Sequence, residues 1–366
     1  MSPSSEATIT PFQSMQARCV ACEQEGRYTR LKSTLYSETK RDIDLRPTTI
    51  LWSKKVSPRV DPKLFYFWQC PYCFFTADHG FFIQPFKDGN MSPTRFRKQF
   101  QKASKGNEAY TSLLKLLSVD PNQEKSVFMS GLKLNLLACY QWELVDDIVA
   151  GESISIGSYY LRMAWMLHDL RHALSKSPNV QAEAQALLHA LRPCWPKLPG
   201  SESAMLEKAL FYYQLALTKS AAINTVLQEV NMRLIIARIQ MKLGRMTDAK
   251  RSILECKARV KHYESLIRKK QQKDSNFTAE AIEEMEVAHG KAMGLLGQVE
   301  QIYDKIEIIL FDRQVGAAKT LLAPLAAKSY EQKLLLLKAA KIPDPVIAKA
   351  LPPPQKKSII KILKSS

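Results

Sequence analysis

The stretch FWQCPYCFF, residues 67–75, places Cys70 and Cys73 three positions apart inside a block of aromatic side chains. A second pair with the same spacing, Cys19 and Cys22 in CVAC, precedes it by 47 intervening residues. Two Cys-x-x-Cys turns supply four thiolates, which is the ligand set of a tetrahedral structural zinc site. The sequence therefore predicts that these four cysteines bind one structural Zn²⁺ ion.

Two other interpretations of the cysteines stay open at this point. A thioredoxin-like dithiol needs one pair placed before a helix in a strand–helix–strand unit, whereas prolines, Phe74 and Phe75 surround the second pair. The second interpretation is four buried thiols without a metal, because cysteine packs well as a small apolar residue. His79 could replace one sulfur, although four thiolates already suffice.

Both turns lack a residue that this geometry favours. Glycine often follows the second cysteine of such a turn, since the backbone there is left-handed, yet Glu23 and Phe74 occupy these places. We therefore expect turns that are strained or differently shaped. The remaining cysteines, Cys139, Cys194 and Cys256, are isolated from one another, which predicts buried small apolar residues.

Composition limits the classes of protein that remain. The chain has 366 residues, of which 46% are hydrophobic, enough for one large domain or two ordinary ones. No run of eighteen uncharged apolar residues occurs, and the first residues lack a secretory pattern. We expect a soluble, cytoplasmic protein whose seven cysteines are kept reduced.

Composition shifts along the chain predict four segments. Residues 1–16 are polar and are expected to be disordered. Residues 17–92 carry short β-branched and aromatic runs broken by prolines, which is typical of a small β-module around the zinc. Residues 93–340 have helical periodicity, and residues 341–366 form a basic, proline-rich tail.

The expected fold class is α+β and mainly α: a zinc-ribbon-like β-module followed by an array of helical hairpins. The stripe from Leu227 to Met241 and the stripe from Leu295 to Ile309 predict two long antiparallel helices that pack together. A polar break at residues 271–276 lies between them, and Thr278 is a candidate N-cap for the second. LGRMTDAKRSILECKA, residues 243–258, resembles the middle of a tetratricopeptide unit.

The formal net charge of +18 raises the possibility of an anionic partner. The tail from residue 338 onward alone carries +6, which suits non-specific contact with anionic surfaces. For nucleic acid, lysines and arginines of the β-module and of the helix at 257–273 are candidates, together with the aromatic residues Phe65, Tyr66 and Trp68. The basic candidates are Arg41, Arg46, Lys54, Lys55, Lys261, Arg268, Lys269 and Lys270.

The first half of the chain resembles an uncharacterised bacterial family of unknown function, numbered 2225. The resemblance rests on CVAC, KRDIDLRP (40–47), DPKLFYFWQCPYC (61–73) and IGSYYLRMAWMLHDL (156–170) in this order. Val20 and Phe74 stand where that family tends to have proline and glycine. The resemblance implies metal-ligating cysteines and helices similar to tetratricopeptide repeats.

No catalytic motif with a recognised spacing appears in the chain. His168 and His172 lie four residues apart on one helical face, but no third ligand is near in sequence, which favours a solvated or capping pair. We therefore expect a non-enzymatic, zinc-stabilised adaptor whose helical grooves bind another protein. A nucleic-acid-binding protein that uses the basic zinc module is the alternative.

Overall fold

The chain begins with three two-stranded antiparallel sheets and continues in helices. The computed structural model describes residues 8–85, 92–119, 126–145, 153–172, 177–218, 225–273 and 279–353. The strands are β1 (Phe12–Arg18), β2 (Glu25–Leu31), β3 (Tyr36–Arg41), β4 (Pro47–Trp52), β5 (Phe67–Gln69) and β6 (Thr76–Asp78). They pair as β1–β2, β3–β4 and β5–β6, so each sheet is one hairpin. The predicted class, α+β and mainly α, is confirmed.

Twelve α-helices are assigned in the described ranges. They are α1 (His79–Ile83), α2 (Pro93–Ser104), α3 (Glu108–Leu117), α4 (Val127–Leu144), α5 (Ser153–His172), α6 (Pro178–Leu191), α7 (Glu202–Thr218), α8 (Val226–Lys242), α9 (Met246–Lys273), α10 (Ala279–Leu322), α11 (Tyr330–Ala339) and α12 (Asp344–Ala350). The chain divides into two units, Met1–Arg245 and Met246–Ser366. The helical part, expected to be one domain over 93–340, is therefore split at the turn after α8.

In the first unit the hairpins and the helices share one hydrophobic core. Phe75 lies beside β6, and its ring contacts Phe96 and Phe100 of α2 at centroid distances of 5.4 and 5.2 Å. Trp142 of α4 is fully buried and packs against Phe81 of α1. Burying an aromatic side chain contributes about 1.5–3 kcal/mol. The β-module is thus held to the helices by the same aromatic cluster that it helps to form.

The second unit is built on two long helices in antiparallel contact. Ion pairs join Lys250 to Glu307 and Lys257 to Glu300, so the two helices run in opposite directions. Buried apolar residues recur at alternating intervals of three and four positions, which is the heptad spacing of a coiled coil. They are Ile253, Cys256, Val260 and Ile267 on α9, with Ala292, Leu295, Val299, Ile302 and Ile306 on α10.

The predicted partner of the Leu295 stripe was wrong. The stripe from Leu227 to Met241 lies on α8 of the first unit and packs against α7. The stripe from Leu295 packs against α9 instead. Both stripes have helical periodicity, but periodicity does not identify a partner, and the intervening α9 carries a matching face of its own. Thr278 lies outside the described residues.

Regular structure occurs among the described residues of both terminal segments, 8–16 and 341–353. Within the segment expected to be disordered, Phe12 already pairs with Leu31 in the first hairpin, and its ring contacts Phe65. In the expected tail, residues 344–350 form α12, and Val346 and Ile347 are buried against α10 and α11. A proline in the first turn of a helix lacks only an amide that would have no helical partner there. The sequence IPDP therefore begins a helix instead of preventing one.

A buried ion network ties the β3–β4 connection to the helices of the first unit. Asp169 of α5, with 13% of its side chain exposed, accepts hydrogen bonds from Arg46 at 2.8 Å and from Lys63. Asp42 accepts from Lys242 of α8 at 2.8 Å. Burial opposes the ionisation of Asp42, but its bonds to Lys242 and Arg46 lower its pKa to about 2. Asp42 therefore stays charged at neutral pH.

Substituting Asp169→Asn should destabilise the first unit by about 3–5 kcal/mol, because Arg46 and Lys63 would keep their charges without the buried carboxylate. All five tryptophans lie in this unit, so urea unfolding followed by tryptophan fluorescence measures its free energy of unfolding. Glu207→Gln is the control, because Glu207 and its partner Arg245 are both exposed and should change stability by less than about 1 kcal/mol. Equal losses in the two variants would contradict this assignment.

Candidate metal centre

Each predicted cysteine pair lies in the turn of a β-hairpin. The first knuckle, residues 19–24, connects β1 to β2, and the second knuckle, residues 70–75, connects β5 to β6. Equivalent backbone hydrogen bonds close the two turns. In the first, Glu23 donates to the Cys19 carbonyl at 2.8 Å; in the second, Phe74 donates to the Cys70 carbonyl at 2.9 Å. The two turns therefore have equivalent geometry and present their cysteines alike.

The four sulfurs converge on one point. Cys19 Sγ lies 3.7 Å from Cys73 Sγ, and Cys22 Sγ lies 3.6 Å from Cys70 Sγ. All four ligand atoms lie within 4.8 Å of one another. A metal–sulfur bond of about 2.3 Å gives a tetrahedron with edges of about 3.8 Å, and a disulfide would need about 2.05 Å. The sulfurs thus have the spacing of a tetrahedral thiolate site, and the group could hold a metal ion.

Glu23 and Phe74 both adopt the left-handed conformation that glycine favours. Their φ angles are 63° and 59°, so both turns keep the knuckle geometry in spite of their side chains. A non-glycine residue in this region costs about 1–2 kcal/mol. The expectation of strained turns is met, whereas a different turn shape is not seen. Glu23 also pairs with Arg97 of α2 at 2.6 Å, which helps to hold the first turn.

The thiols influence one another's ionisation strongly. Hydrogen bonds donated by Cys19 and Cys73 lower the pKa of Cys70, which favours its thiolate form. The same contact with Cys70 raises the pKa of Cys19 to about 12. The pKa of Cys73 is raised as well, first by its contact with Cys19. A cation that binds all four sulfurs must displace the protons of Cys19 and Cys73, so its affinity must fall as the pH falls.

A buried hydroxyl next to the sulfurs fits a negatively charged cluster. Tyr28 stacks on Trp68 with ring centroids 4.8 Å apart, and its buried hydroxyl interacts with Cys70. Burial raises its pKa, and the charge of Cys70 raises it further. A Cβ atom on Gly26 would lie 2.8 Å from this hydroxyl, so glycine leaves room for it. The Tyr28 hydroxyl can therefore donate a hydrogen bond to a thiolate.

Helix α4 holds the second knuckle through one side-chain amide. Gln141 is fully buried; its Oε1 accepts from the Thr76 amide at 2.7 Å, and its Nε2 donates to the Phe74 carbonyl at 2.9 Å. Tyr110 of α3 accepts a second bond from Nε2. The amide thus satisfies two backbone groups that flank Phe75 at the C-terminal end of the turn, as a neighbouring strand would. No signal in the sequence identified Gln141, since its role depends on a contact 65 residues away.

The second hairpin is also fixed to helix α5. The Tyr159 hydroxyl donates to Asp78 Oδ2 at 2.6 Å and accepts from the Asp78 amide. The other carboxylate oxygen of Asp78 caps α1 by accepting from the Phe81 amide. Side chains from α2, α4 and α5 thus reach the two knuckles or the strand that follows, and they position the thiols before any ion binds.

The remaining histidine and cysteine candidates are not part of this site. His79 lies at the start of α1, where its Nδ1 is 3.3 Å from the Tyr66 carbonyl, and burial lowers its pKa. His168 Nδ1 lies 3.1 Å from both carboxylate oxygens of Glu202, with the His172 ring beside it. In the part of the chain that the structure describes, the only group of potential metal ligands is the four cysteines. Cys139 and Cys256 are buried as expected, and Cys194 is partly exposed.

The residues predicted to contact nucleic acid separate into three groups. Lys54 and Lys55 are exposed on the connection after β4, and Arg41 is exposed but pairs with Glu38. Arg46 is buried in the ion network, and Trp68 is buried with its Nε1 donating to Thr29, so both are unavailable. Phe65 and Tyr66 are partly buried.

On α9, Lys261 and Lys269 are exposed, Arg268 pairs with Glu264, and the Lys270 side chain lies outside the described residues.

Replacing Phe74 with glycine and with alanine should separate backbone strain from side-chain contacts. Both variants lose the partly exposed ring, but only alanine keeps the cost of the left-handed backbone, so Phe74→Gly should be more stable than Phe74→Ala by about 1 kcal/mol. Urea unfolding measures the difference. At Tyr72, which is exposed and does not have a positive φ, the order should reverse. If the alanine variant were more stable than the glycine variant at both positions, Phe74 would not be strained.

Comparison with known proteins gives a family and no function. The family model described as uncharacterized protein conserved in bacteria, DUF2225, matches residues 13–277. No curated protein and no solved structure matches the chain. The matched range includes both knuckles and all of α1 to α9, which is more than half of the sequence. The resemblance seen in the cysteine motifs is confirmed, and the chain belongs to the DUF2225 family.

Proposed function

We propose that this protein is a non-enzymatic adaptor in which a structural zinc ion rigidifies the β-module and helical surfaces bind another protein. The convergence of four sulfurs carries the zinc part. Cys19, Cys22, Cys70 and Cys73 would fill all four positions of a tetrahedral ion, leaving none for a substrate or a water molecule. Such a site contributes folding free energy instead of catalysis, about 10–16 kcal/mol in small zinc domains.

The surroundings of the cysteines argue against a redox dithiol. Within each pair the two cysteines belong to one hairpin turn, and the sulfur–sulfur contacts of 3.7 and 3.6 Å join cysteines from different turns. A thioredoxin-like centre instead uses one pair at the start of a helix. The buried Tyr28 hydroxyl beside Cys70 suits a cluster in which all four sulfurs are thiolates, a charge state that a bound cation permits.

Exposed apolar side chains support the protein-binding part. Fifteen large hydrophobic residues are exposed among the described ones, and eight of them lie in the second unit, although it holds only 121 residues. They are Leu254, Leu266, Val287, Met293, Ile308, Leu321, Leu335 and Leu336. Exposed apolar surface on helices is typical of sites that bind another protein. Among the described residues, no helix is long and apolar enough to cross a membrane.

The purified chain should contain one zinc ion, and Cys73→Ser should remove it because serine cannot supply a thiolate. Elemental analysis measures zinc and iron together, which distinguishes the two metals that four thiolates favour. Cys194→Ser is the matched control, since Cys194 lies outside the cluster and should leave the zinc content unchanged.

Since Cys73→Ser can also prevent folding, the unchanged protein provides a second measurement. A chelator should lower its unfolding temperature, and zinc binding should weaken as the pH falls, because protons return to Cys19 and Cys73. Iron in place of zinc, or a zinc content equal in both serine variants, would contradict the proposal.

The substitutions Ile308→Glu and Leu335→Glu should remove the protein partner, because their side chains are 61% and 68% exposed and a carboxylate would be desolvated in an apolar contact. Quantitative affinity capture from the protein's own cells, with nuclease present, measures the loss. Val127→Glu in the first unit, 52% exposed, is the control and should retain every partner. An identical partner set for all three variants would exclude the second unit as the binding surface.

A further inference from the structure

Helix α10 has two opposite faces that carry apolar residues, and α9 covers only one of them. Side chains on one face of a helix recur every three or four residues, since each residue turns the helix by about 100°. Near the C-terminal end of α10, the face opposite α9 packs against α11 and α12 in a small core of its own. The residues of α10 in or against this core are Phe311, Val315, Ala318 and Leu322. We call these four residues the covered stripe.

The same face continues towards the N-terminus of α10 without a cover among the described residues. Further steps of three and four positions from Phe311 pass through seven residues, all of them exposed. They are Ile308, Asp304, Gln301, Gly297, Gly294, Gly290 and Val287. We call these seven residues the open stripe. Ile308 at one end is 61% exposed and Val287 at the other is 49% exposed, so apolar side chains face solvent at both ends.

Three glycines lie between these two apolar side chains. Gly290, Gly294 and Gly297 stand in the interior of α10, where glycine weakens a helix because it gives the unfolded chain more conformational freedom. A Cβ atom on any of the three would meet no described atom outside the local helix within 4 Å. Glycine in such a place leaves room for another chain segment to lie close to the helix backbone. The open stripe is therefore a shallow groove with an apolar side chain at each end.

The chain leaves α12 beside the open stripe. Lys349 in the last turn of α12 donates to Asp312 Oδ1 at 2.8 Å, and its Nζ lies 5.0 Å from the centre of the Phe311 ring. Phe311 is the member of the covered stripe that adjoins the open stripe. The residues after α12 therefore start near the point on α10 where the cover ends.

The segment that follows, residues 354–366, lies outside the described part of the chain and has the length to reach this groove. Ile359, its first apolar residue after Pro354, follows Leu351 by eight positions, and eight extended residues span at most about 26–29 Å. Gly297 precedes Phe311 by fourteen residues, which is about 21 Å along the helix. An extended chain from the end of α12 therefore reaches the middle of the open stripe.

The composition of this segment suits the groove. Residues 359–364 read IIKILK, and the segment 354–366 carries four lysines and no acid. The one charged residue of the open stripe is Asp304, which is exposed. Charges of both signs flank the stripe, among them Glu286 and Lys305, so the apolar residues and the path of the chain favour this occupant more than charge does.

We propose that residues 354–366 dock on the open stripe of the same chain and extend the core that α12 forms with α10. The apolar run 359–363 would lie over the glycines and against Ile308, which would remove these apolar side chains from water. A second copy of the chain, or a separate protein, would have to displace a segment that is tethered next to the groove. The effective concentration of such a segment is on the order of millimolar.

This contact also regulates the proposed function, and in this respect the inference rests on that function. Ile308 is one of the residues that we expect to bind a protein partner. The docked segment would compete with the partner for Ile308, and release of the segment would expose the binding surface.

Photo-crosslinking of the 366-residue chain tests the docking. Replacing Ser358 with the photoreactive amino acid benzoylphenylalanine places the probe directly before the apolar run, and mass spectrometry identifies the residues that it joins. We expect crosslinks within one chain to α10 between Val287 and Ile308. The double substitution Ile359→Asp, Ile362→Asp should lower the crosslinked fraction by at least about tenfold, because two carboxylates would replace two buried apolar side chains.

Gly297→Leu should block the docking without weakening the fold. A leucine side chain would fill the groove above the helix backbone, which should lower the crosslinked fraction by at least about fivefold. Leucine is a better helix former than glycine, so the unfolding temperature should not fall. Ala258→Leu is the matched control: Ala258 is exposed on α9, two positions from both Cys256 and Val260, so it faces away from α10 and should leave the crosslinks unchanged.

The docking is overturned if the crosslinks avoid α10, if they persist in Gly297→Leu, or if they join light to heavy chains in a mixture of isotope-labelled proteins. Affinity capture measures the competition separately. The chain with Ile359→Asp and Ile362→Asp should recover at least about twofold more partner than the unchanged chain, and equal recovery would exclude competition. If neither chain captures a partner, the adaptor proposal fails, whereas the crosslinks still decide whether the segment docks.

Discussion

Four sulfurs from two hairpin turns come within 4.8 Å of one another, and the arrangement of the β-module depends on this contact. The β1–β2 and β5–β6 hairpins are each marginal on their own, since isolated two-stranded hairpins have little stability in water. No strand joins them into a common sheet among the described residues. What unites the turns is the thiol cluster on one side and the aromatic core on the other. A cation at the sulfurs would offset the mutual repulsion of four thiolates, so it would stabilise the module.

The helices contribute to the centre before any ion binds. Gln141 satisfies two backbone groups at the C-terminal end of the second knuckle, and Arg97 reaches the first knuckle through Glu23. Such outer contacts orient ligands and tune the site, as they do around metals generally. The same contacts help to hold two non-glycine residues in the left-handed conformation, because surrounding structure can maintain a strained backbone. The β-module is accordingly part of the first unit rather than a separate domain.

The sequence predicted the features that depend on local spacing and missed those that depend on distant contacts. Repeated Cys-x-x-Cys spacing identified the four cysteines, and apolar periodicity identified the helices. The residues after each pair were correctly located as the critical turn positions, although Glu23 and Phe74 gave no sign that the left-handed turn would be kept. Gln141 and the carboxylate of Asp169 could not be found, because their partners lie far away in sequence. For the same reason Arg46 appeared available to nucleic acid, whereas it is buried in an ion pair.

Arg46 and Arg162 show how burial divides the positive charge of the first unit into two classes. Arg46 lies between Asp42 and Asp169, and its desolvation is offset by two carboxylates. Arg162 faces the Tyr66 ring, and a cation–π contact contributes only about 0.5–2 kcal/mol. Removing a guanidinium from water costs more than such a contact returns, so the desolvation of Arg162 is offset less completely than that of Arg46. Net charge alone does not indicate where an anion binds; the partners that each buried arginine already has decide it.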